Sequence, residues 1–330
     1  MDILIYLAYL AGIIISIVIQ QYPVNRLEDA MVALSLKFKL STMVAGATLI
    51  AIASSAPEFG TAFAGVTVEH KFDIGFSVIM WSAIFNILVI TGASSIASKE
   101  KIKISDYLFN RDLLAYIIVL IAFLFFCLDE VITWKENSIL IVLYLAYIVA
   151  LWHTNGTDLL NGVTYRKRKI LFNATIGIIG VFISSAMLVR FGVLSLYKLG
   201  DLLGMAIPIS VIACTFWGPG TSIVDLMMSI NLSKRGHGES GVVNGIASNT
   251  FDIAICLGFN GLLYNLLFGD IHLNITSGYF LVSLVIVSLV VMTLMLYRKR
   301  ELTVSMGYAL IGLFVFMFAL QIFVAFRFGL

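Results

Sequence analysis

Charged residues are scarce in this sequence. Asp, Glu, Lys and Arg make up 12% of the 330 residues, about half the charged share of an average soluble domain, while 60% of the residues are hydrophobic. This shortage excludes an ordinary water-soluble fold. Long polar segments are also missing, and the longest connections between apolar runs, near 21–39, 98–111, 154–168 and 191–204, leave no room for a soluble domain. The chemistry of the chain must therefore lie within a membrane.

Histidine and cysteine are rare as well. The four histidines lie in loops or at the ends of apolar runs, and the three cysteines lie inside such runs without metal-ligand spacing. An intramembrane enzyme would need a nucleophile with a base, or a metal with an open position. We therefore expect no enzyme activity and no cofactor, and we interpret the cysteines as packing residues. They are Cys127, Cys214 and Cys256.

Apolar runs of about 20 residues, long enough to cross a bilayer as helices, recur along the whole chain. The sequence predicts an all-α membrane protein with ten transmembrane helices. The predicted spans are 3–20, 40–66, 74–97, 112–130, 137–153, 169–190, 205–232, 241–264, 276–297 and 304–326.

The distribution of Lys and Arg predicts the orientation, because cytoplasmic loops collect these residues. With the N-terminus outside, 16 of the 21 fall in inward loops. We therefore expect both termini outside and, as the membrane concerned, the plasma membrane. The exceptions are Lys71, Lys135, Arg190, Lys198 and Arg327.

Two blocks of the sequence repeat. VAGATLIAIASSAPEFGT (44–61) matches VIACTFWGPGTSIVDLMM (211–228) in polar pattern, and WSAIFNILVITG (81–92) matches ASNTFDIAICLG (247–258). Each half, 1–160 and 161–330, then contains five spans. Because five is odd, the second copy crosses the membrane in the opposite sense. Inverted repeats of this kind are a transporter architecture with the binding site near mid-membrane.

Three acidic residues, Glu58, Asp225 and Asp252, lie well inside predicted spans. A carboxylate at the centre of a membrane helix costs roughly 2.5–3.5 kcal/mol on insertion scales, so such residues normally face a cavity and mark an ion path. The spans that contain them, the second, seventh and eighth, have no Lys or Arg, and neither has the third. The charges must be neutralised by protons or bound cations. Three monovalent cations, or one Ca²⁺ with a proton on Asp252, would suffice, and exclusion of one load by the other is what antiport requires.

Oxygen-bearing side chains accompany these acids at helical spacing. Each acid or amide follows a serine by three or four residues, so each pair shares a helical face. Carboxylate, amide and hydroxyl oxygens suit a hard cation such as Ca²⁺, and we expect no His or Cys on these faces. Helix breaks at Pro57 and at Gly218–Pro219–Gly220 would add backbone carbonyls. The pairs are Ser55 with Glu58, Ser222 with Asp225, Ser82 with Asn86 and Ser248 with Asp252.

Together these residues resemble the two alpha-repeats of the Na⁺/Ca²⁺ exchanger superfamily, in the segments SSAPE (54–58), SAIFNIL (82–88), GTSIVD (220–225) and SNTFDI (248–253). The resemblance implies that Glu58 and Asp225 bridge Ca²⁺ with the main-chain carbonyls of Ser54 and Thr221. It further implies that sliding of the first and sixth spans alternates access. Flanking Na⁺ sites would use Ser55, Ser82, Ser222 and Ser248, and Asn86 and Asp252 would complete the middle of the site.

One departure from the family concerns the second repeat, where Val224 replaces the usual Pro and Pro219 comes earlier. We therefore expect that helix break to be shifted by about one turn. The function we expect is antiport of Ca²⁺ against Na⁺ in a lipid bilayer, with no nucleic acid and no obligatory protein partner. A proton-coupled exchanger stays open, and Asp225 and Asp252, which resemble the K⁺-dependent branch, keep a K⁺-dependent exchanger open too.

Overall fold

The computed structural model describes residues 2–40, 42–98, 100–105, 109–153, 169–273, 282–289, 291 and 301–328. The described chain is almost entirely helical, which confirms the all-α prediction. The boundary predicted at 160/161 and most of the predicted ninth span lie outside these ranges. The elements are α1 (Asp2–Lys37), α2 (Thr42–Ala45, Gly46–Ile50 and Ala51–Ser54), α3 (Ala56–Thr67), α4 (Phe72–Ala97), β1 (Ile102–Lys103), α5 (Phe109–Leu113 and Leu114–Phe126), β2 (Val131–Ile132), α6 (Trp134–His153), α7 (Ile170–Leu203), α8 (Ile209–Thr221), α9 (Ile223–Lys234), α10 (Gly238–Phe268), β3 (Ile271–His272), β4 (Glu301–Leu302) and α11 (Val304–Phe328).

The membrane-crossing segments follow from helix length and composition. Within the described ranges, six helices are long and apolar enough to span a membrane, and two bent pairs, α2 with α3 and α8 with α9, raise the number to eight. The fourth predicted span corresponds to α5, whose regular part is shorter, Leu114–Phe126. Large apolar side chains are widely exposed on the outer helices, including Leu4 on α1 and Phe316 on α11. That surface suits contact with lipid tails.

Two of the predicted connections, which had room for short surface helices, are instead continuous with the helices before them. Residues 21–39 and 191–204 were expected to link spans, yet α1 continues to Lys37 and α7 continues to Leu203. α1 stays helical through Pro23, and α7 is followed by Gly204, whose φ of 67° is left-handed. Each long helix packs along the other, so tertiary contact outweighs the polar residues that suggested loops.

α1 and α7 form the most extensive helix pair in the described chain. The backbones approach so closely that a Cβ on Gly180 would lie 2.5 Å from the Cβ of Pro23, and one on Gly177 would lie 2.7 Å from the Cβ of Leu27. The contacts run in opposite directions along the two helices. The pair is tied by a 2.8 Å hydrogen bond from Gln20 Nε2 to Ser185 Oγ.

The two bent pairs break at matching positions. α2 and α3 meet at Ser55 with a bend of 54°, and α8 and α9 meet at Ser222 with a bend of 46°. The dihedral angles are nearly equal, φ −87° and ψ 8° at Ser55 against φ −83° and ψ 3° at Ser222. The expected shift of the second break is therefore wrong. Pro57 follows the first break and Pro219 precedes the second, yet the chain bends at the equivalent serine in each.

π-helical turns occur in both bent pairs and in α4 and α10, and a further one begins α5 at Phe109–Leu113. The first four occupy Gly46–Ile50 in α2, Ala213–Trp217 in α8, Asn86–Ile90 in α4 and Asp252–Leu257 in α10. Such turns are rare and often lie at functional sites. α4 is almost wholly buried among the other helices. Two short antiparallel ribbons, β1 with β4 and β2 with β3, join the ends of distant helices.

Candidate functional site

Glu58 stands in the first turn of α3, directly after the first helix break, and is fully buried. Its Oε1 atom accepts hydrogen bonds from Ser82 Oγ on α4, at 3.2 Å, and from Ser222 Oγ at the second break, at 3.1 Å. The two hydroxyl oxygens are themselves 2.8 Å apart. One carboxylate oxygen therefore joins three elements from both halves of the chain.

Asp225 occupies the equivalent place in the first turn of α9 and is also fully buried. Its Oδ1 atom accepts a 3.1 Å hydrogen bond from Asn244 Nδ2 on α10. The hydroxyl groups of Ser54 and Ser248 lie close to the same carboxylate. The break and the facing helix therefore surround Asp225 as their counterparts surround Glu58.

The two carboxylates exchange neighbours between the halves. Thr221, from the second half, lies near Glu58, and its equivalent Ser54, from the first half, lies near Asp225. The two carboxylates are close enough for their charges to interact. This reciprocal arrangement brings together the residues that the sequence predicted at both breaks.

Asp252 begins the π-helical turn of α10 and is fully buried. Its charge interacts with those of Glu58 and Asp225, and the hydroxyl of Ser55 lies near it. Cys256 Sγ donates a long 3.6 Å contact to Asp252 Oδ1. The expectation that no cysteine shares these faces is therefore wrong. The sequence could have shown this, because Cys256 follows Asp252 by four residues and the two therefore share a helical face.

Asn86 is connected to α10, the helix that carries Asp252, by the side-chain amide of Asn249. The sequence interpretation assigned no role to Asn249. Asn86 Nδ2 donates to Asn249 Oδ1 at 3.0 Å, and Asn249 Nδ2 donates to the carbonyl oxygen of Ala83 at 3.1 Å. All of these atoms are buried. Asn249 and Asn244 were detectable as amides inside a predicted span. Their role here is to connect α4 and α9 to α10.

Every acid of the site keeps one oxygen without a hydrogen-bond partner. In the described chain these atoms are Glu58 Oε2, Asp225 Oδ2 and Asp252 Oδ2. No salt bridge within the described ranges reaches any of the three. A buried polar atom left unpaired costs about 1–3 kcal/mol, and more when it is charged, so such groups call for an explanation. Further unpaired oxygens nearby are Ser55 Oγ, Ser248 Oγ and Asn86 Oδ1.

The helix breaks leave backbone acceptors open as well. Across the breaks, Phe59 N–H bonds to the carbonyl of Ser55 and Leu226 N–H bonds to that of Ser222. The hydrogen bonds of the described residues include none to the carbonyls of Ser54 or Thr221. These two carbonyls belong to the residues four positions before the acids. In a regular helix they would accept hydrogen bonds from the backbone N–H groups of Glu58 and Asp225, and each break removes that bond.

No three side chains among the His, Cys, Asp and Glu of the described ranges lie close enough to hold one metal ion. A cation at this site would therefore contact at most two carboxylates and would take its remaining ligands from hydroxyl, amide and carbonyl oxygens. Such a mixed oxygen set suits Ca²⁺, which accepts six to eight oxygens, and also suits Na⁺.

Comparison with known proteins gives a consistent result. The family model described as "Sodium/calcium exchanger protein" matches residues 8–153 and 175–323. Sodium/potassium/calcium exchanger 2 of Rattus norvegicus is 40% identical over 113 residues, which are 34% of this chain but only 17% of that protein. Sodium/potassium/calcium exchanger 1 of Gallus gallus is 37% identical over 117 residues, 36% of this chain and 18% of that protein.

The fold matches a solved structure over nearly its whole length. The sodium/calcium exchanger from Methanococcus jannaschii superposes with a TM-score of 0.63 at 22% identity, covering 95% of this chain and 98% of that chain. The architecture is therefore that of a multi-pass membrane protein. The matched family model describes transporters, which confirms the expectation that the chain is not an enzyme.

Proposed function

This chain belongs to the sodium/calcium exchanger protein family, and from that membership we propose that it exchanges Ca²⁺ for Na⁺ across the membrane by alternating access. One observation carries the proposal. Three buried carboxylates, Glu58, Asp225 and Asp252, each keep an oxygen without a partner, and the described chain pairs none of them with a Lys or Arg. Cations are the groups that would relieve this cost.

Charge counting favours two alternative loads. One Ca²⁺ with a proton on Asp252 balances three carboxylates, and so do three monovalent cations. Glu58 and Asp225 lie within electrostatic reach of each other, and Asp252 within reach of both. Binding of both loads together would overcharge the site. Exchange of one load for the other is therefore the favoured cycle.

We assign the Ca²⁺ to the space between Glu58 and Asp225. The open carbonyls of Ser54 and Thr221 and the unpaired Glu58 Oε2 and Asp225 Oδ2 support this assignment. We assign Na⁺ to sites on either side of the Ca²⁺ position, because serine hydroxyl and asparagine amide oxygens surround the same acids. These sites use Ser55, Ser82, Ser222 and Ser248, with Asn86 and Asp252 in the middle.

For the conformational change we propose that α1 and α7 slide together over the other helices. Their close backbone contact favours movement as one body. The pair meets both bent spans: Ser185 Oγ lies 3.5 Å from the carbonyl of Pro57, and Trp217 Nε1 on α8 donates a 3.2 Å hydrogen bond to the carbonyl of Leu188. We further propose that 1–160 and 161–330 are inverted repeats, with both termini outside the plasma membrane. The matched breaks at Ser55 and Ser222 support the repeat.

The test is Ca²⁺ uptake into vesicles that contain the purified protein. Vesicles loaded with Na⁺ are diluted into Na⁺-free medium at equal pH on both sides and without K⁺. Uptake that requires the Na⁺ gradient supports Na⁺/Ca²⁺ exchange. Uptake that follows an imposed pH gradient and ignores Na⁺ would replace it with proton-coupled exchange.

A K⁺-dependent exchanger is the second candidate. The curated relatives carry sodium, potassium and calcium in their names, and this chain has Asp225 and Asp252 at the two second-half acid positions. Adding K⁺ to both sides in the same vesicle assay separates the candidates. Uptake that begins only with K⁺ favours the second candidate, and uptake unaffected by K⁺ favours the first.

A further inference from the structure

A buried thiol lies against one acid of the proposed site. Cys256 is fully buried on α10, one turn after Asp252. Its Sγ atom is 3.6 Å from Asp252 Oδ1 and 3.9 Å from the carbonyl oxygen of Ser55 at the first helix break. The thiol therefore faces the space between α10 and the break.

The neighbouring atoms indicate an incomplete ligand set. Asp252 is 0% exposed, and its Oδ2 atom has no hydrogen-bond partner. The hydroxyl of Ser55, also 0% exposed, has none either. A sulfur and a carboxylate with one unpaired oxygen thus lie beside the Ser55 carbonyl, in a region that is otherwise lined by oxygen ligands.

The other half of the site has no such group. The residue that corresponds to Cys256 in the first repeat is Ile90, which is buried and apolar. Cys214 directs its Sγ to the carbonyl of Val211 in its own helix, at 3.3 Å. Cys127 is half-buried near the end of α5. The thiol therefore makes the Asp252 side chemically different from the Asn86 side.

We propose that Cys256 and Asp252, with the Ser55 carbonyl, form a subsite for thiophilic divalent cations such as Cd²⁺. Thiolate sulfur prefers soft and borderline metals, whereas Ca²⁺ prefers oxygen. Binding replaces the thiol proton with the metal, and that proton leaves to solvent. With two protein side chains and one carbonyl, the remaining ligands are the nearby hydroxyl and water.

The subsite overlaps the proposed exchange site, and in that respect the inference rests on the proposed function. A Cd²⁺ ion bound to Asp252 occupies the carboxylate that a proton or Na⁺ neutralises during exchange. The positive charge of the bound Cd²⁺ also disfavours a second cation at Glu58 and Asp225. Cd²⁺ therefore blocks Ca²⁺ uptake by binding the thiol, in addition to any competition for oxygen ligands that its equal charge allows.

The experiment uses the purified 330-residue chain with Cys127→Ser and Cys214→Ser, so that Cys256 is its only thiol, and compares it with the same chain carrying Cys256→Ala. Ultraviolet sulfur-to-Cd²⁺ charge-transfer absorption is titrated first, because it needs no transport. We expect the band in the first protein and no band after Cys256→Ala. Absence of the band in the first protein would overturn the inference.

Inhibition of uptake is measured second, as the ratio of the Cd²⁺ concentration for half-inhibition to the Ca²⁺ concentration for half-maximal uptake. Loss of a metal ligand is expected to raise this ratio by about tenfold or more in Cys256→Ala. An unchanged ratio would mean that Cd²⁺ acts only through oxygen ligands. Intact Na⁺-driven uptake without the charge-transfer band refutes the thiol subsite alone, whereas a band without Na⁺-driven uptake refutes the exchange function alone.

Discussion

The hydroxyl oxygens of Ser82 and Ser222 lie 2.8 Å apart, although 140 residues separate them in the sequence. Both donate to the same oxygen of Glu58. One serine comes from the continuous helix α4 and the other from the break between α8 and α9. This contact joins the two halves of the chain directly at the acid that we assign to Ca²⁺.

A double-mutant cycle tests the coupling of these serines. Ser82→Ala and Ser222→Ala each remove one donor to Glu58, and we expect an interaction free energy of about 0.5–3 kcal/mol between them, because they share a partner. Thermal unfolding of the two single variants and the double variant, in detergent without Ca²⁺, measures it. Strictly additive effects would show that the hydroxyls act independently.

Removing the charge of Glu58 should abolish exchange. Glu58→Gln is expected to eliminate Na⁺-driven Ca²⁺ uptake, because Asp225 alone cannot bridge the ion. The stabilisation by Ca²⁺, about 2.7 kcal/mol at roughly 100 times the dissociation constant, should vanish as well. Glu100→Gln, at an exposed position, is the matched control, and it should keep both uptake and the Ca²⁺-dependent thermal shift.

Asp252→Asn should affect the binding of the coupling ion more than the binding of Ca²⁺. Asn86, its counterpart in the first repeat, is already an amide, so the substitution makes the two halves alike and removes one of three charges. We expect the Na⁺ dependence of uptake to change more than the Ca²⁺ affinity. Flux measured over a series of Na⁺ gradients checks this, and an unaltered Na⁺ dependence would contradict the charge count.

The close approach of α1 and α7 leaves no room for a larger residue. Gly180→Leu places its side chain against Pro23, and overpacking of this kind costs about 1–3 kcal/mol. We expect lower thermal stability and slower uptake as the pair is forced apart. In Gly312→Leu, by contrast, the new Cβ meets no described atom within 4 Å, so stability should hold. Equal losses in both variants would remove the packing explanation.

Asn249 tests the connection between α4 and α10. Asn249→Ala leaves Asn86 Nδ2 and the carbonyl of Ala83 without their observed partner. The expected cost is about 1–3 kcal/mol, the penalty of leaving buried polar groups unpaired. Thermal unfolding with Asn231→Ala, an exposed position, as the control checks it. A loss no greater than that of the control would mean that water replaces the amide.

Much of this arrangement was predictable from residue spacing. Ser55 and Glu58, like Ser222 and Asp225, could be assigned to one helical face because side chains three or four residues apart are neighbours on a helix. The repeat then indicated that the breaks would face each other. These inferences needed only local geometry and the rule that buried carboxylates in a membrane face polar surroundings.

The remaining features depend on tertiary contact. α1 continues through Pro23 because α7 packs along it, and no local signal in 21–39 reveals that partner. The second break falls at Ser222 rather than one turn away, since the chain bends at the equivalent serine although the prolines differ in position. Asn244 and Cys256 were visible as residue types, but their contacts with Asp225 and Asp252 depend on how α10 is placed.

The measurement that tests the central claim most directly is crystallographic density between Glu58 and Asp225 in crystals soaked separately with Ca²⁺ and with Na⁺. We predict one strong peak between the two carboxylates in Ca²⁺, near the carbonyls of Ser54 and Thr221. In Na⁺ that peak should disappear and weaker peaks should appear beside the flanking serines. A Ca²⁺ peak elsewhere, or one that persists beside bound Na⁺ at all three acids, would contradict exchange at a shared site.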